Sequence, residues 1–266
     1  MKIVDIHSHT FPDSIASKAI SKLEKSSGTK AIGSGLQKDL LLSMQESGVD
    51  ISVVAPVATS PNSHSINLKN IAAKKDFGDS LYFLGALHPD TPNIREEISF
   101  MKENGFCGIK LHPDYQDFFV DDEKMFPIYE ELEKQGMFLL LHCGEDVSFI
   151  NSGKGNPQRT ATVLKKFSEL KIIAAHLGGY LRWDETLKHL TGFDNVWLDT
   201  AYCAFKPEAE IMQKIINTFG TEKILFGSDW PWMEQKKSID YIRSLPISDE
   251  QKSDILGGNA LKFFQK

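Results

Sequence analysis

Apolar residues fall along this chain in short, nearly continuous runs, and most runs are followed by a stretch with helical periodicity. Eight runs stand out: Lys2–His7, Ile51–Pro56, Leu81–Leu87, Cys107–Leu111, Met137–His142, Ile172–His176, Val196–Asp199 and Ile224–Gly227. Several lack polar alternation, which is the pattern of strands buried on both faces of a parallel sheet. Strands alternating with helices imply βαβ units. Eight repeats in a chain of 266 residues predict an α/β fold, a (β/α)8 TIM barrel. No linker or shift of composition divides the chain, so one domain over 1–266 is expected.

The punctuation between runs agrees. Asn156-Pro157 reads as a helix cap followed by its first residue, ahead of a periodic stretch to Leu170. Lys206-Pro207 opens a stretch to Phe219 that Gly220 closes, and Ser248 to Gln251 reads as a capping box. Gly48, Gly78, Gly105 and Gly136 mark returns from helix to strand. Phe11 to Leu36 does not fit the repeat. It holds an extra helical pattern near Ser14–Lys25 and then a flexible-looking Ser26–Gly35. Such an insertion after the first strand is expected over the mouth of the barrel.

The chemistry gathers where strands end. The first run closes on Asp5-Ile6-His7-Ser8-His9, and residues two apart on a strand share a face, so His7 and His9 can grip one ion. Two later runs end in histidine, at His142 and His176, and the last runs into Gly227-Ser228-Asp229. A histidine after an apolar strand is often a satisfied core residue. Four histidines at three strand ends are harder to obtain by accident, since barrel active sites are built from strand C-termini and their loops. Three imidazoles and a carboxylate suffice for a catalytic zinc-type site completed by water. Lys110 and His112 alternate on the fourth run, facing the same interior. Lys110 reads as a substrate contact, a salt-bridged lysine or, once carboxylated, a bridging ligand. Arg182, after the Gly178-Gly179 turn, is a candidate for binding a substrate carboxylate. Asp5 reads as structural.

Composition narrows the class. The chain is 41% hydrophobic and 25% charged, with net charge −6, and without the Lys/Arg clustering of a nucleic-acid surface. No run is long enough to suggest a membrane span. Three dispersed cysteines fit a reducing compartment. A strand at residue 3 is read as leaving no room for a signal peptide, so a cytoplasmic place is expected. The expected partner is a small-molecule substrate, and a homo-oligomer is admitted.

The motifs Asp5 to His9, Gly108-Ile109-Lys110-Leu111-His112-Pro113, Leu141-His142-Cys143-Gly144, Ala175-His176-Leu177-Gly178-Gly179, Gly227-Ser228-Asp229-Trp230-Pro231 and Gly258-Asn259-Ala260-Leu261 run through the chain in order. In this they resemble the amidohydrolase superfamily, within the branch that includes aminocarboxymuconate-semialdehyde decarboxylase. The resemblance implies that His7, His9, His142 and Asp229 hold a divalent metal. It makes His176 either a ligand of a second ion or a group that polarises or protonates substrate. Lys110 departs from the decarboxylase pattern and matches dihydroorotase-like hydrolases, whose lysine is carboxylated. Zinc is expected, one ion rather than two, the second requiring carboxylated Lys110.

The leading expectation is a metal-dependent hydrolase. A metal-activated water attacks an amide, lactone or ester, and Asp229 moves its proton. The alternative is a decarboxylase or hydratase of a small unsaturated or aromatic carboxylic acid. A phosphoesterase that also opens on paired histidines fits the Gly227-Ser228-Asp229 motif less well. A non-catalytic barrel fits least, because no ligand position is missing.

Overall fold

A computed structural model describes residues 2–204, 207 and 209–265. In chain order its strands are β1 Val4–Ser8, β2 Ile51–Val54, β3 Leu81–Phe83, β4 Gly85–Ala86, β5 Gly108–Leu111, β6 Phe138–Leu141, β7 Ile172–Ala174, β8 Val196–Asp199 and β9 Ile224–Leu225. Each of the eight apolar runs carries a strand. The third carries two, β3 and β4, with a break at Leu84. Parallel strands alternate with helices, the expected α/β repeat.

The chain divides into two compact units. The first comprises Met1–Val54, Asp79–Tyr82 and Asp199–Lys266. In it β1 pairs in parallel with β2, with Val4 opposite Ile51 and Asp5 opposite Ser52. On its other side β1 meets the end of the β9 run, where the Ile6 amide donates to the Phe226 carbonyl at 2.9 Å. All five residues of β1 are buried, including Asp5 and His7. A buried carboxylate needs donors, and Asp5 has them. It accepts from the backbone amides of Ser228 at 2.9 Å and His7 at 3.2 Å, and from the side chains of Ser228 at 2.5 Å and Gln235 at 2.8 Å. Burial nonetheless pushes its pKa up to about 6 against the pull of these donors. Asp5 thus ties the first strand to the segment leading into Asp229, the structural part expected of it.

The insertion forms a helix at Ala16–Ser27, closed by left-handed Gly28. The following segment is tied down. Glu24 accepts the Ala31 amide at 3.0 Å and the Lys30 ammonium at 3.1 Å, and the Phe11 amide donates to the Gly35 carbonyl at 2.8 Å. The flexibility expected from its serines and glycines is therefore opposed by specific hydrogen bonds. The helix start read at Lys206-Pro207 lies partly outside the described residues; the helix runs Ala209–Phe219. The capping box forms as expected between Ser248 and Gln251.

The second unit comprises Ala55–Gly78 and Phe83–Leu198. Its strands β4 to β8 pair in parallel in sequence order, with Lys110 opposite Leu140 and Leu141 opposite Ala174. β6 is buried throughout, as a strand covered on both faces must be. At β4 the Asn67 amide group serves both main-chain groups of Ala86, donating to its carbonyl at 3.0 Å and accepting from its amide at 2.8 Å. The helix Pro157–Lys166 starts as read: Asn156 caps it, its side chain accepting from the Arg159 amide at 2.9 Å. It ends at Lys166, short of the expected Leu170. Among the described residues no helix is long and apolar enough to cross a membrane.

Candidate functional site

In the first unit, β1 carries His7 to its end and the turn after β9 brings Asp229 beside it. The Asp229 amide donates to the His7 carbonyl at 2.8 Å, and the His9 amide to the Trp230 carbonyl at 2.6 Å. Asp229 adopts φ +68°, a left-handed conformation uncommon outside glycine. Such outliers gather at functional sites, where the surrounding structure enforces them. His7, His9 and Asp229 each offer a ligand atom, all within 4.8 Å of one another. Asp229 Oδ1 stands 3.1 Å from His9 Nε2 and 3.6 Å from His7 Nε2.

A fourth residue sets this arrangement. Asp199, the last of β8 and fully buried, receives His7 Nδ1 on Oδ2 at 2.8 Å and the Ala201 amide on Oδ1 at 3.0 Å. An ionised carboxylate only accepts, so Nδ1 carries the proton and Nε2 keeps its lone pair. A carboxylate behind a ligating imidazole is the usual outer support of a metal site. Two imidazoles, one carboxylate and this support fit a divalent cation. Asp199 had no assigned part in the sequence reading. The signal was a polar residue closing an otherwise apolar strand run.

The second unit brings His112, His142, His176 and Asp146 together. His176 Nε2 lies 3.0 Å from His142 Nδ1, and the ring of His112 stacks on that of His142 with centroids 4.0 Å apart. His112 Nε2 is 3.4 Å from Asp146 Oδ2. Burial drives the His112 pKa down to about 4 against the pull of Asp146, so its ring is neutral near pH 7. Burial is the largest influence on Asp146 and would raise it, but His112, the Ser148 amide and His176 together hold the carboxyl below its ordinary range. His176 is another left-handed residue, at φ +59°. Gly144 sits just past His142 at φ +95°, and a Cβ there would stand 2.1 Å from the Tyr180 amide nitrogen, so only glycine allows this approach. Asp146 was also missed, though Glu145-Asp146 follows the histidine motif directly.

The remaining candidates separate. Lys110 is almost wholly buried on β5, and its charge helps depress the pKa of His112. Arg182 is engaged by carboxylates of the protein itself, donating through Nε to Glu145 and through Nη1 to Glu185. A substrate carboxylate there would have to displace them.

The chain is 25% identical over 211 residues to a 2-amino-3-carboxymuconate-6-semialdehyde decarboxylase of Dictyostelium discoideum, covering 64% of this chain. It spans 56% of that relative's length. Solved structures are similar over nearly the full length. An uncharacterised TIM-barrel protein of Bordetella bronchiseptica superposes with a TM-score of 0.75 at 19% identity, covering 100% of this chain and 99% of that one. A dihydroxybenzoic acid decarboxylase of a Polaromonas species, with bound manganese and an inhibitor, gives 0.74 at 16% identity, covering 99% and 97%. The fold is thus the expected α/β TIM-barrel type. The expected reaction is corrected: relatives with a stated activity are decarboxylases, so hydrolysis of an amide, lactone or ester does not stand. Zinc gains no support either, since the metal in the Polaromonas neighbour is manganese. The sequence profile of the amidohydrolase family matches residues 4–266, and the chain belongs to that family.

Proposed function

We propose that the protein is a divalent-metal-dependent decarboxylase acting on a small unsaturated or aromatic carboxylic acid. The observation that carries this reading is the likeness to the Dictyostelium decarboxylase, on a chain that keeps paired histidines and an aspartate in mutual reach. The ion is assigned to His7, His9 and Asp229. When bound, a divalent ion supplies Lewis acidity, drawing electron density from substrate oxygens.

The chain's own residues do the rest. Asp199 fixes the tautomer and orientation of His7. Asp229, held by the His7 carbonyl, keeps its carboxylate beside both imidazoles. Loss of carbon dioxide exchanges a carbon–carbon bond for a carbon–hydrogen bond, so the protein must deliver one proton to the carbon left behind. The buried pair His142 and His176 is assigned this task. Two imidazoles in hydrogen-bond contact can pass a proton between them, and His176 is tethered by Trp183, whose indole N–H donates to its carbonyl at 3.1 Å. Lys110 is assigned to the anionic end of the substrate.

The test is carbon dioxide release from a panel of hydroxylated benzoic acids and amino-substituted unsaturated diacids, with manganese-loaded protein. One equivalent released per acid consumed is expected. Cleavage of a lactone or ester panel with no carbon dioxide from any acid would refute the reading.

A further inference from the structure

Each strand from β4 to β7 runs into a histidine just past its end: Leu87-His88, Leu111-His112, Leu141-His142 and Ala175-His176. The proposed reaction uses the last two and gives His88 no part. In the β4–β5 register Ala86 lies opposite Lys110, so two residues on His88 and His112 stand at adjacent strand ends. Side chains two apart along a strand share a face, which puts His88 on the side of Lys110. We propose that His88 binds the anionic end of the substrate together with Lys110, donating Nε2–H to a carboxylate oxygen. The carboxylic acid as ligand rests on the decarboxylase reading above.

The ring is fixed by its own turn. His88 Nδ1 accepts the Asp90 amide at 3.1 Å. An amide only donates, so Nδ1 keeps its lone pair and the proton sits on Nε2. The His88 amide donates to Ser63 Oγ at 2.9 Å, and its carbonyl accepts the Thr91 amide at 2.9 Å. Gln116 clamps the two strand ends together. Its side chain accepts the His112 amide at 2.8 Å and donates to the Leu87 carbonyl at 2.7 Å. Backbone and ring are thus held before any ligand arrives. Among the described residues no group takes up Nε2, and it is not one of the polar atoms sealed in without a partner. The side chain keeps 10% of its exposure, and the N–H opens at that edge.

Charge suits an anion here. Burial lowers the His88 pKa and the Lys124 charge adds to this, against the pull of Asp90, so the ring is neutral near pH 7. The positive charge that complements a carboxylate comes from Lys110, buried on the same face, and from Lys124. Asp90 would repel an anion, but its side chain is 71% exposed and screened by water. A hydrogen bond to an ionised acceptor is about twice as strong as one to a neutral acceptor, so a fixed N–H favours the acid over its amide.

Isothermal titration calorimetry on manganese-loaded full-length protein tests this, with the same panel acids as probes and their primary amides as neutral counterparts. Binding is read rather than turnover: acids that bind without releasing carbon dioxide would refute the decarboxylase reading and leave the role of His88 standing. Two substitutions separate the two nitrogens. His88→Asn keeps a side-chain oxygen near the place of Nδ1 for the Asp90 amide, but nothing reaches the place of Nε2. His88→Gln reaches that place with an N–H. His88→Asn should weaken acid binding about 10–100-fold and leave amide binding within about threefold. His88→Gln should bind the acid within about threefold of the wild type. A purely structural His88 reverses the order, with His88→Asn intact and His88→Gln impaired in melting temperature. The proposal is overturned if no panel acid binds the wild type or if a folded His88→Asn protein binds the acid as the wild type does. Equal losses for acid and amide, or a melting temperature far below the wild type in both variants, overturn it too.

Discussion

Asp199 accepts the Nδ1 proton of His7 at 2.8 Å, and so decides which nitrogen of that imidazole faces Asp229. The pair is sealed from solvent, while His9 retains 16% of its side-chain exposure. The two ligands of the strand-end motif should therefore fail differently. His9→Ala is expected to lose the ion and turnover with little change in melting temperature. His7→Ala also leaves the Asp199 charge buried without its partner, a defect of about 3–5 kcal/mol. Asp199→Asn, which keeps the shape, should weaken metal binding about 10–100-fold. Competition with a chromogenic chelator measures the affinities. An Asp199→Asn protein that binds metal like the wild type would show that the carboxylate does not tune His7.

Metal removal should register in stability as well as activity. Protein treated with a chelator loses the binding energy of an ion that the unfolded chain does not hold. At a free ion concentration 100 times the dissociation constant, that linkage is worth about 2.7 kcal/mol. A chain of this size then melts on the order of 5 °C higher with manganese than without. Identical melting curves for metal-free and manganese-saturated protein would count against a resident ion.

Much of this was legible along the chain, because strand runs and their terminal histidines are local patterns. β5, β6 and β8 lie within one residue of the read runs at each end, since continuous burial and an abrupt polar end specify them. The break at Leu84 was not legible, because Gly85 alone interrupts the apolar residues from Phe83 through Leu87. Asp199 was passed over because its partner is 192 residues away, and no pattern within a run encodes that distance. Arg182 looked open for a related reason: Glu145, which occupies it, lies 37 residues earlier in another loop.

Arg182 can be tested as a structural group. Its partner Glu145 is buried and also accepts the Asn151 amide, at 2.5 Å. Arg182→Ala should cost about 1–3 kcal/mol by leaving that carboxylate short of a donor, and Arg182→Ala with Glu145→Gln should recover part of the loss. Denaturant titration of the single and double variants reads this coupling. KM for an acid substrate should change little. A large rise in KM at unchanged stability would instead return Arg182 to the substrate.

The insertion bears on the site through Gly33. A Cβ at this position would stand 2.5 Å from Cζ2 of Trp230, and the Ile32 amide is fixed to the Pro231 carbonyl at 2.8 Å. Trp230 is buried and cannot swing out to make room. Its neighbour Asp229 is already held at φ +68°. Gly33→Ala should therefore shift the tryptophan and the aspartate with it. Overpacking of this kind costs about 1–3 kcal/mol. A share of that strain equal to 1.4 kcal/mol, felt at the ligand, lowers metal affinity about tenfold. Ser26→Ala, exposed in the same insertion, should leave affinity unchanged. Dialysis against manganese on all three proteins decides the matter. If Gly33→Ala binds metal as tightly as the wild type, the insertion does not support the Asp229 turn, and any part it has lies elsewhere.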